Sequence, residues 1–571
     1  MINNRPVVVR GPLWDVSGYG AFTRYIVRAM FLVGMAPRVP KIKADFFSRY
    51  KPSSEEEERF LEGVMLPPLT TKEILDSIVI NVQPATIANR CYRYNILYTM
   101  IETDRISPWW AECCNEMDST WVPGPFNKES FETSGVRHAR IVTPGFDTDV
   151  YRVMKEGECS KNVWDRLENA PDLNFIIMGA LCHSNQDRKG IKQLIRCFAR
   201  TFEGDPGVGI ILKTQLVNHT PFDQMGLMSE IGDLLKKEGR PNAIKNITVI
   251  HENYTSAEMA SLYNHPKIKC FVTSTMGEGC GQCLLESSAC GLPIMATNWS
   301  EHINLLAPEG FIPLPCEVRQ VPDEYADRSD MVYLKDARWA HIDDGVLRDA
   351  LVDFVDHPME RKAMDYSHLS LKSFGKRIRE AIGDDLRVKR LGKSKPKKVQ
   401  VASGIYPTRG YFHVDIDPIN TAQLDLVADA KNLTIDPDSV DEVLIVHLLE
   451  HLRDWEIYRV LFEAWKVLRP GGMVEVHVPD FDVAARMFKE RGRSLSLLTR
   501  AIKTMLGTNN SHINLFDLER LKDFLESVGF HDVRTLEMAD VYDEIAELSL
   551  ERPTRVSLCV SALKGRLPGR E

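Results

Sequence analysis

CFVTSTMGEGCGQCLLESSACGLPIMATNWSEHINL, residues 270–305, opens with an apolar run of the kind that forms a buried strand. A glycine-rich turn follows at Gly277–Gly281. A helix then starts near Gln282 and stops at Gly291-Leu292-Pro293, where a C-cap glycine is followed by a proline that cannot continue it. The run IMAT closes the unit as a second buried strand. Strand, helix and strand make a βαβ half of an open parallel sheet, with its ligand crevice where strand gives way to helix. Two carboxylates flank that crevice, Glu278 in the turn and Glu286 on the helix, in an E-x7-E spacing. Ionised carboxylates only accept hydrogen bonds and so suit ligands rich in hydroxyls. Helix amides at the same turn suit phosphate. Together these describe a sugar nucleotide; the competing reading is two solvated glutamates.

The wording of the stretch resembles the donor-site signature of retaining GT-B glycosyltransferases of the family-4 type, roughly E-G-F-G-x-x-x-x-E-A-M-A-C-G-x-P-V-x-A-T. The resemblance implies that Glu278 contacts the transferred sugar and Glu286 the nucleotide ribose. Cys280 stands where the pattern has Phe.

Toward the N-terminus, RPVVVRGPLW reads as a strand, Ser17-Gly18-Tyr19-Gly20 as a tight turn and AFTRYIVRAMFLVG as a helix. Gly18 and Gly20 let backbone amides approach a phosphate, as in the turn that faces the donor diphosphate in GT-B enzymes. The strands YNILYTM, STWVPG and ARIVTP follow, and TPGFDTDVY resembles that family's crossing into its second domain. Glu102, at a strand end, falls where the acceptor cleft is expected; its alternative role is a surface ion pair with Arg105.

In the second domain NFIIMGAL is a strand, NQDRKG a loop, IKQLIRCFARTFEG a helix and VGIILKTQ a strand. Arg188, Lys189 and Lys213 therefore sit at loop or strand ends on the crevice side. Fixed cations there would stabilise the charge that develops on a departing nucleotide diphosphate. No Asp-x-Asp triplet suits a metal–diphosphate site, so the cations substitute for a metal; Ala180 stands where the family often has Arg. KNITVIHENYTSAEMASLYNH gives a strand and a helix led by Ser256. Residues 306–345 read as irregular and acidic, and 345–383 as helical.

At 571 residues the chain exceeds a single core. Hydrophobic content of 44% and charged content of 26% are ordinary for a globular protein. A net charge of −9 argues against broad nucleic-acid binding. No apolar run approaches the roughly twenty residues that span a bilayer, and the N-terminus lacks a signal-peptide core. Twelve cysteines without a small-scaffold pattern read as reduced thiols, so a cytoplasmic location is expected. Cys280, Cys283 and Cys290 lack a fourth ligand for zinc. RVKRLGKSKPKK, residues 387–398, is a basic linker whose alternative use is contact with an anionic membrane surface at the inner face.

Beyond it, KVQVASG, YFHVDID, the loop LVADAKNL, DEVLIVH, the helix DWEIYRVLFEAWKVL, the turn RPGG and MVEVHVPD form another doubly wound α/β pattern. Asp415 and Asp429 sit at strand ends where they accept from ribose hydroxyls and an adenine amino group, and Gly404 permits close approach of a cofactor's amino-acid end. The order resembles class I S-adenosylmethionine-dependent methyltransferases, in the compact subgroup with G-x-x-x-V-D-I, D-x-V-x-x-H-x-L-E-H-L and V-L-R-P-G-G. Only ten residues separate Gly404 from Asp415, a shortening that the subgroup shares. HLLEH also matches a zinc-peptidase signature literally, but its place between strand and RPGG follows the methyltransferase. There His447 faces the methyl group as a general base, or else caps the strand.

The expected fold is α/β, two Rossmann-like GT-B lobes plus a Rossmann-like methyltransferase domain: 1–150 for the acceptor lobe, 151–386 for the donor lobe, 387–398 for the linker and 399–571 for the methyltransferase. The expected function is bifunctional, moving a sugar from a UDP- or GDP-sugar to a glycan or other hydroxyl acceptor and methylating with S-adenosylmethionine, in cell-surface glycan synthesis. The alternatives are modification of nucleic-acid bases and a C-terminal module that binds without catalysis.

Overall fold

The computed structural model describes residues 6–41, 50–70, 73, 77–90, 92–180, 187–214, 221–326, 333–386, 396–404, 407–419, 421–480, 482, 514–536 and 557–565. The chain divides into two compact units. The first runs to Lys389, apart from Thr86–Tyr92 and 328–331; the second holds those two segments and everything from Arg390.

The first unit is built on two parallel sheets. One orders its strands sequentially: β1 (Val7–Arg10), β2 (Ile78–Val82), β3 (Tyr94–Tyr98), β4 (Ser119–Val122) and β5 (Ala139–Ile141). Every residue of β2 and β3 is buried, as expected for parallel strands covered on both faces. The other sheet contains β6 (Leu173–Met178), β7 (Val208–Lys213), β8 (Ile247–Ile250), β9 (Ile268–Thr273), β10 (Ile294–Thr297) and β11 (Phe311–Leu314). Its order is β11-β10-β9-β6-β7-β8, so the winding reverses between β6 and β9 and the crevice opens beyond their carboxyl ends.

Helix α1 (Gly18–Leu32) is capped by Ser17, whose hydroxyl accepts from the Gly20 amide at 3.3 Å. It buries Phe22, Ile26 and Met30, spaced by one turn each. Four further helices bear on the site: α2 (Pro125–Thr133), α3 (Ile191–Phe202), α4 (Ser256–Tyr263) and α5 (Gln282–Ala289). Helix α4 begins at Ser256, as expected, and its N-cap Thr255 and Glu258 cap each other reciprocally.

The stretch expected to be helical over 345–383 is two helices, α6 (Asp344–Asp356) and α7 (Leu371–Asp385). Pro358 follows the first, and the residue before a proline is steered out of the helical region. Helix α7 returns to the first sheet. Gly375 lies so close to α1 that a Cβ there would meet the Ala29 carbonyl at 2.1 Å. Phe374 stacks on Phe22 at 6.1 Å, and the Trp121 indole donates to Asp385 at 2.9 Å. Between the two helices, Arg361 donates to the carbonyls of Tyr263, His265 and Ile268 at 2.7–2.8 Å and to that of Cys290 at 3.4 Å. It satisfies the carboxyl ends of α4 and α5 together.

Residues 306–345 are not wholly irregular. Besides β11 they contain an antiparallel pair, β12 (Glu317–Gln320) and β13 (Arg338–His341), over a small core of Val321, Tyr325, Ala337 and Trp339. All of β12 is exposed, so it carries no alternation for a sequence pattern to register.

The second unit has one seven-stranded sheet. Its strands are β14 (Lys398–Val401), β15 (Phe412–Asp415), β16 (Leu424–Val427), β17 (Val440–Val446), β18 (Leu468–Pro479), β19 (Phe530–Thr535) and β20 (Ser557–Lys564). The order β16-β15-β14-β17-β18-β20-β19 reverses between β14 and β17, and β20 runs antiparallel to both neighbours. LVADAKNL, expected as a loop, begins with the last two residues of β16, and RPGG lies within β18 rather than before it. Val399, Val443, Ile445, Val474 and Val476 are fully buried at its centre. Thr86–Tyr92 groups with this unit, where Arg90 and Asp425 form a buried ion pair at 2.8 Å. The third sheet, like the other two, is Rossmann-like. Of the basic linker, residues 387–395, and with them most of the expected anionic-surface contact, lie outside the described residues. Among the described residues no helix is long and apolar enough to cross a membrane.

Candidate functional site

A cavity of about 580 Å³ in the first unit is lined by Gly18, Glu102, Arg188, Lys189, Lys213, Glu278 and Glu286. They arrive from five separate segments. Gly18 opens α1, Glu102 follows β3, and Arg188 and Lys189 precede α3. Lys213 ends β7, and Glu278 and Glu286 come from the turn and helix after β9. Gly20 is not among the lining residues. Its hydrogen faces the protein, where a Cβ would meet the Asp15 carbonyl at 2.0 Å, so its role is to let α1 start close against that loop.

The charged groups form one chain of contacts. The Lys189 ammonium pairs with Glu278 Oε1. Arg188 lies 4.0 Å from the same oxygen, donates to the Gly277 carbonyl at 2.6 Å and pairs with Glu102 at 3.3 Å. Glu102 also accepts from the Tyr333 hydroxyl at 2.9 Å. The alternative partner, Arg105, instead pairs with Asp336 at 3.0 Å. Burial by itself would raise the Glu278 carboxyl, but Lys189 and Arg188 overcome this and hold it at about 2.

The Glu278 loop is fixed by its surroundings. A Cβ on Gly277 would meet the Glu102 carbonyl at 2.2 Å, so only glycine lets this loop touch the end of β3. The Glu278 amide donates to Ser300 Oγ at 2.9 Å, and Ser300 holds a positive φ of 79°. His302 is fully buried. Its Nε2 must donate to the Thr297 carbonyl at 2.8 Å, which leaves Nδ1 to accept from Ser300 at 3.2 Å. Burial lowers the His302 pKa, consistent with this neutral tautomer. A strained serine held by a neutral histidine is a support that spacing rules do not reveal, although both residues lie within the decisive stretch.

Glu286 accepts from the Tyr25 hydroxyl at 2.8 Å. Burial pushes its carboxyl up to about 7, against the opposing pull of Tyr25 and Arg24. Burial likewise lowers Lys213 to about 8, offset in part by Glu252. Tyr25, Tyr333, Ser300 and His302 are the residues that the sequence reading missed. Tyr25 could have been found as the α1 position two turns beyond Gly18; nothing local marks Tyr333.

In the second unit, Gly404 follows β14 and Asp415 ends β15, and the Gly404 amide donates to Asp415 Oδ2 at 3.0 Å. Gly404 has a φ of +51°, and among the described residues nothing lies within 4 Å of where its Cβ would be. That leaves room for a ligand at this strand end, with the Asp415 carboxylate beside it. Asp429, just beyond β16, accepts from the Lys431 amide at 2.9 Å. His447 follows β17 with a φ of 49°, and its Nδ1 meets Glu450 at 3.0 Å. HLLEH does not form the helical turn that zinc binding requires: only Leu449–His451 are 3-10 helical, and His447 lies before them. Among the described residues no group of three His, Cys, Asp or Glu could hold a metal ion.

Residues 405–476 match the family model of a methyltransferase domain. No curated protein matches the chain. Among solved structures, it is similar to sucrose-phosphate synthase from Thermosynechococcus elongatus, with 11% identity, 67% of this chain and 100% of that chain covered, and a TM-score of 0.44. It is also similar to Anabaena HepE in complex with UDP and glucose, at 12% identity, 66% and 99% coverage and a TM-score of 0.42. A third is an α,α-trehalose-phosphate synthase (UDP-forming) from Burkholderia xenovorans, at 12% identity, 66% and 100% coverage and a TM-score of 0.44.

Proposed function

We propose that the first unit transfers a glycosyl group from a nucleotide sugar to a hydroxyl acceptor and that the second methylates the product or a related acceptor. The observation that carries the transferase reading is that one cavity gathers Arg188, Lys189 and Lys213 with Glu102, Glu278 and Glu286. Arg188, Lys189 and Lys213 take the departing diphosphate. Glu286 accepts from the ribose and Glu278 from the sugar, and Glu102 stands toward the acceptor. In this reading the donor is a UDP- or GDP-hexose and anomeric configuration is retained, as the resemblance implies. Decoration of a cell-surface glycan suits the pairing of activities.

The methyl-transfer half is supported by the match over residues 405–476. Gly404, Asp415 and Asp429 hold S-adenosylmethionine, which supplies an electrophilic methyl group on sulfur. His447, its ring oriented by Glu450, takes the proton of the acceptor hydroxyl.

A screen of nucleotide sugars for protection of the chain against thermal unfolding tests the first half, because a bound donor stabilises the native state by mass action. One donor is expected to protect, and Glu278→Gln to abolish transfer while the fold is kept. Protection by none sinks the transferase reading. Calorimetry with S-adenosylmethionine tests the second half; absence of binding favours a module without catalysis.

The buried titrating groups predict a narrow pH optimum. Glu286 must be ionised to accept from two ribose hydroxyls, so donor kcat/KM is expected to rise as pH rises through about 7. Lys213 must be charged, so the same quantity falls above about 8. Lys213→Arg is expected to remove the alkaline limb alone. A flat profile between pH 6 and about 9 contradicts both roles. The stability effect has the opposite sign to the acid limb: Glu286 is raised above its unfolded value of 4.5, so its ionisation costs folding free energy as pH rises from there through about 7.

A further inference from the structure

The pair β12–β13 is rooted on the second sheet's side of the cleft and reaches residues that follow β3. The Ala340 amide donates to the Met276 carbonyl at 2.9 Å, next to the glycine loop that carries Glu278. At its other side the Asp104 amide donates to the Arg338 carbonyl at 3.0 Å. The Arg338 amide and Nε return to the two Asp104 oxygens at 2.7 and 2.9 Å. Arg105 and Asp336 add a second crossing ion pair. The segment is stiffened by its own aromatic core, with the rings of Tyr325 and Tyr333 at 4.8 and 5.4 Å from that of Trp339.

This strap ends on the lining of the cleft. Tyr333 lines the cavity, and its hydroxyl occupies one oxygen of Glu102 while Arg188 faces the other. A hairpin serving only to tie two sheets together needs the Asp104–Arg338 crossing but not an aromatic hydroxyl on a cleft carboxyl. Tyr333 fixes the rotation of Glu102. Without it, Arg188 holds the group from one side, and the oxygen that would meet an acceptor has no set position.

We propose that residues 333–341 form the acceptor wall of the cleft and that Tyr333 is a positioning residue that sets Glu102 against the acceptor hydroxyl. The inference rests on the transferase reading. It adds that acceptor choice is made by a segment inserted after β11, whereas donor choice is made by the turns after β7 and β9. The ligand class is an alcohol presented on a sugar ring, whose hydroxyl hydrogen Glu102 accepts.

The test uses the full chain, UDP and GDP as nucleotide probes, the donor found by thermal protection, and methyl hexopyranosides as probe acceptors. Tyr333→Phe is expected to raise the acceptor KM about tenfold, the size of one lost hydrogen bond to a charged group. The acceptor KM is expected to rise by a larger factor than nucleotide affinity falls. Arg338→Ala, at the crossing rather than in the cleft, moves the acceptor KM in the same direction, and Arg338→Lys restores part of it. An unchanged acceptor KM in both Tyr333→Phe and Arg338→Ala overturns the proposal. So does an equal rise in donor and acceptor KM, which marks a general loosening of the cleft. If the unaltered chain binds neither UDP nor GDP, the transferase reading itself fails, before any variant is compared.

Discussion

Lys189→Ala is expected to lower glycosyl transfer by about 10²–10³-fold, mostly in kcat, because it removes a fixed cation from the place where the leaving diphosphate gains charge. Geometry rather than charge count sets this effect. Lys189 immediately precedes Gly190, which adopts a φ of +70° and is pressed so closely against Ser274 that a Cβ would meet its Oγ at 1.9 Å. The backbone that aims the ammonium is therefore locked to the end of β9, and a lysine elsewhere on the loop would not replace it. Lys189 and Arg188 both face Glu278. On the proposed reading, a diphosphate exchanges for that carboxylate and releases Glu278 to accept from the sugar.

The variant carries a second signature that does not require a substrate. Glu278 is held at about 2 against an ordinary value of 4.5. A depressed carboxylate contributes stability that is present above its unfolded pKa and lost as pH falls through the folded one, here from 4.5 down to about 2. Lys189→Ala removes the leading attractive partner, so the loss is expected to shift to higher pH and to shrink. Acid unfolding followed by circular dichroism reads this shift. Transfer within threefold of normal, with the acid transition unmoved, would show that Lys189 is a bystander.

Arg361→Ala is expected to destabilise the first unit by about 3 kcal/mol. Its guanidinium gathers four backbone carbonyls from the ends of α4 and α5 and the start of β9. Burial lowers its pKa, but only to about 10, so it stays charged at neutral pH. Replacement leaves several carbonyls without a donor, and water has limited access to them. Because α5 carries Glu286, the loss is also expected to weaken donor binding. Urea unfolding of the full chain, followed by tryptophan fluorescence, checks the first effect. The unit must be read as its own transition, since two compact units need not unfold together. Arg361→Lys, which can satisfy fewer carbonyls, is expected to fall between the two. No change in either variant would mean that solvent replaces the guanidinium at no cost.

Residues 270–305 alone determined a great deal: strand, glycine turn, helix and strand fall where their periodicity and caps place them, because each is set by contacts within a few residues. The helix expected from Gln282 to the Gly291-Leu292-Pro293 stop ends at Ala289, with Cys290 as its C-cap and Gly291 at a φ of 82° just beyond. The carboxylates and cations of the cleft were legible for the same reason, since strand ends in an open sheet face one rim. Only the tertiary structure decided what joins them. Tyr25 meets Glu286 across 261 positions of chain, Tyr333 meets Glu102 across 231, and Arg361 reaches back 71 to 98 residues. No local pattern encodes such pairings. Gly20 shows the same limit in reverse, because a glycine that suits phosphate and a glycine that suits close packing are identical in sequence and differ only in what stands opposite. Short-range hydrogen bonding and hydrophobic period are written along the chain; the partner of a buried charge is set by which surfaces the fold brings together.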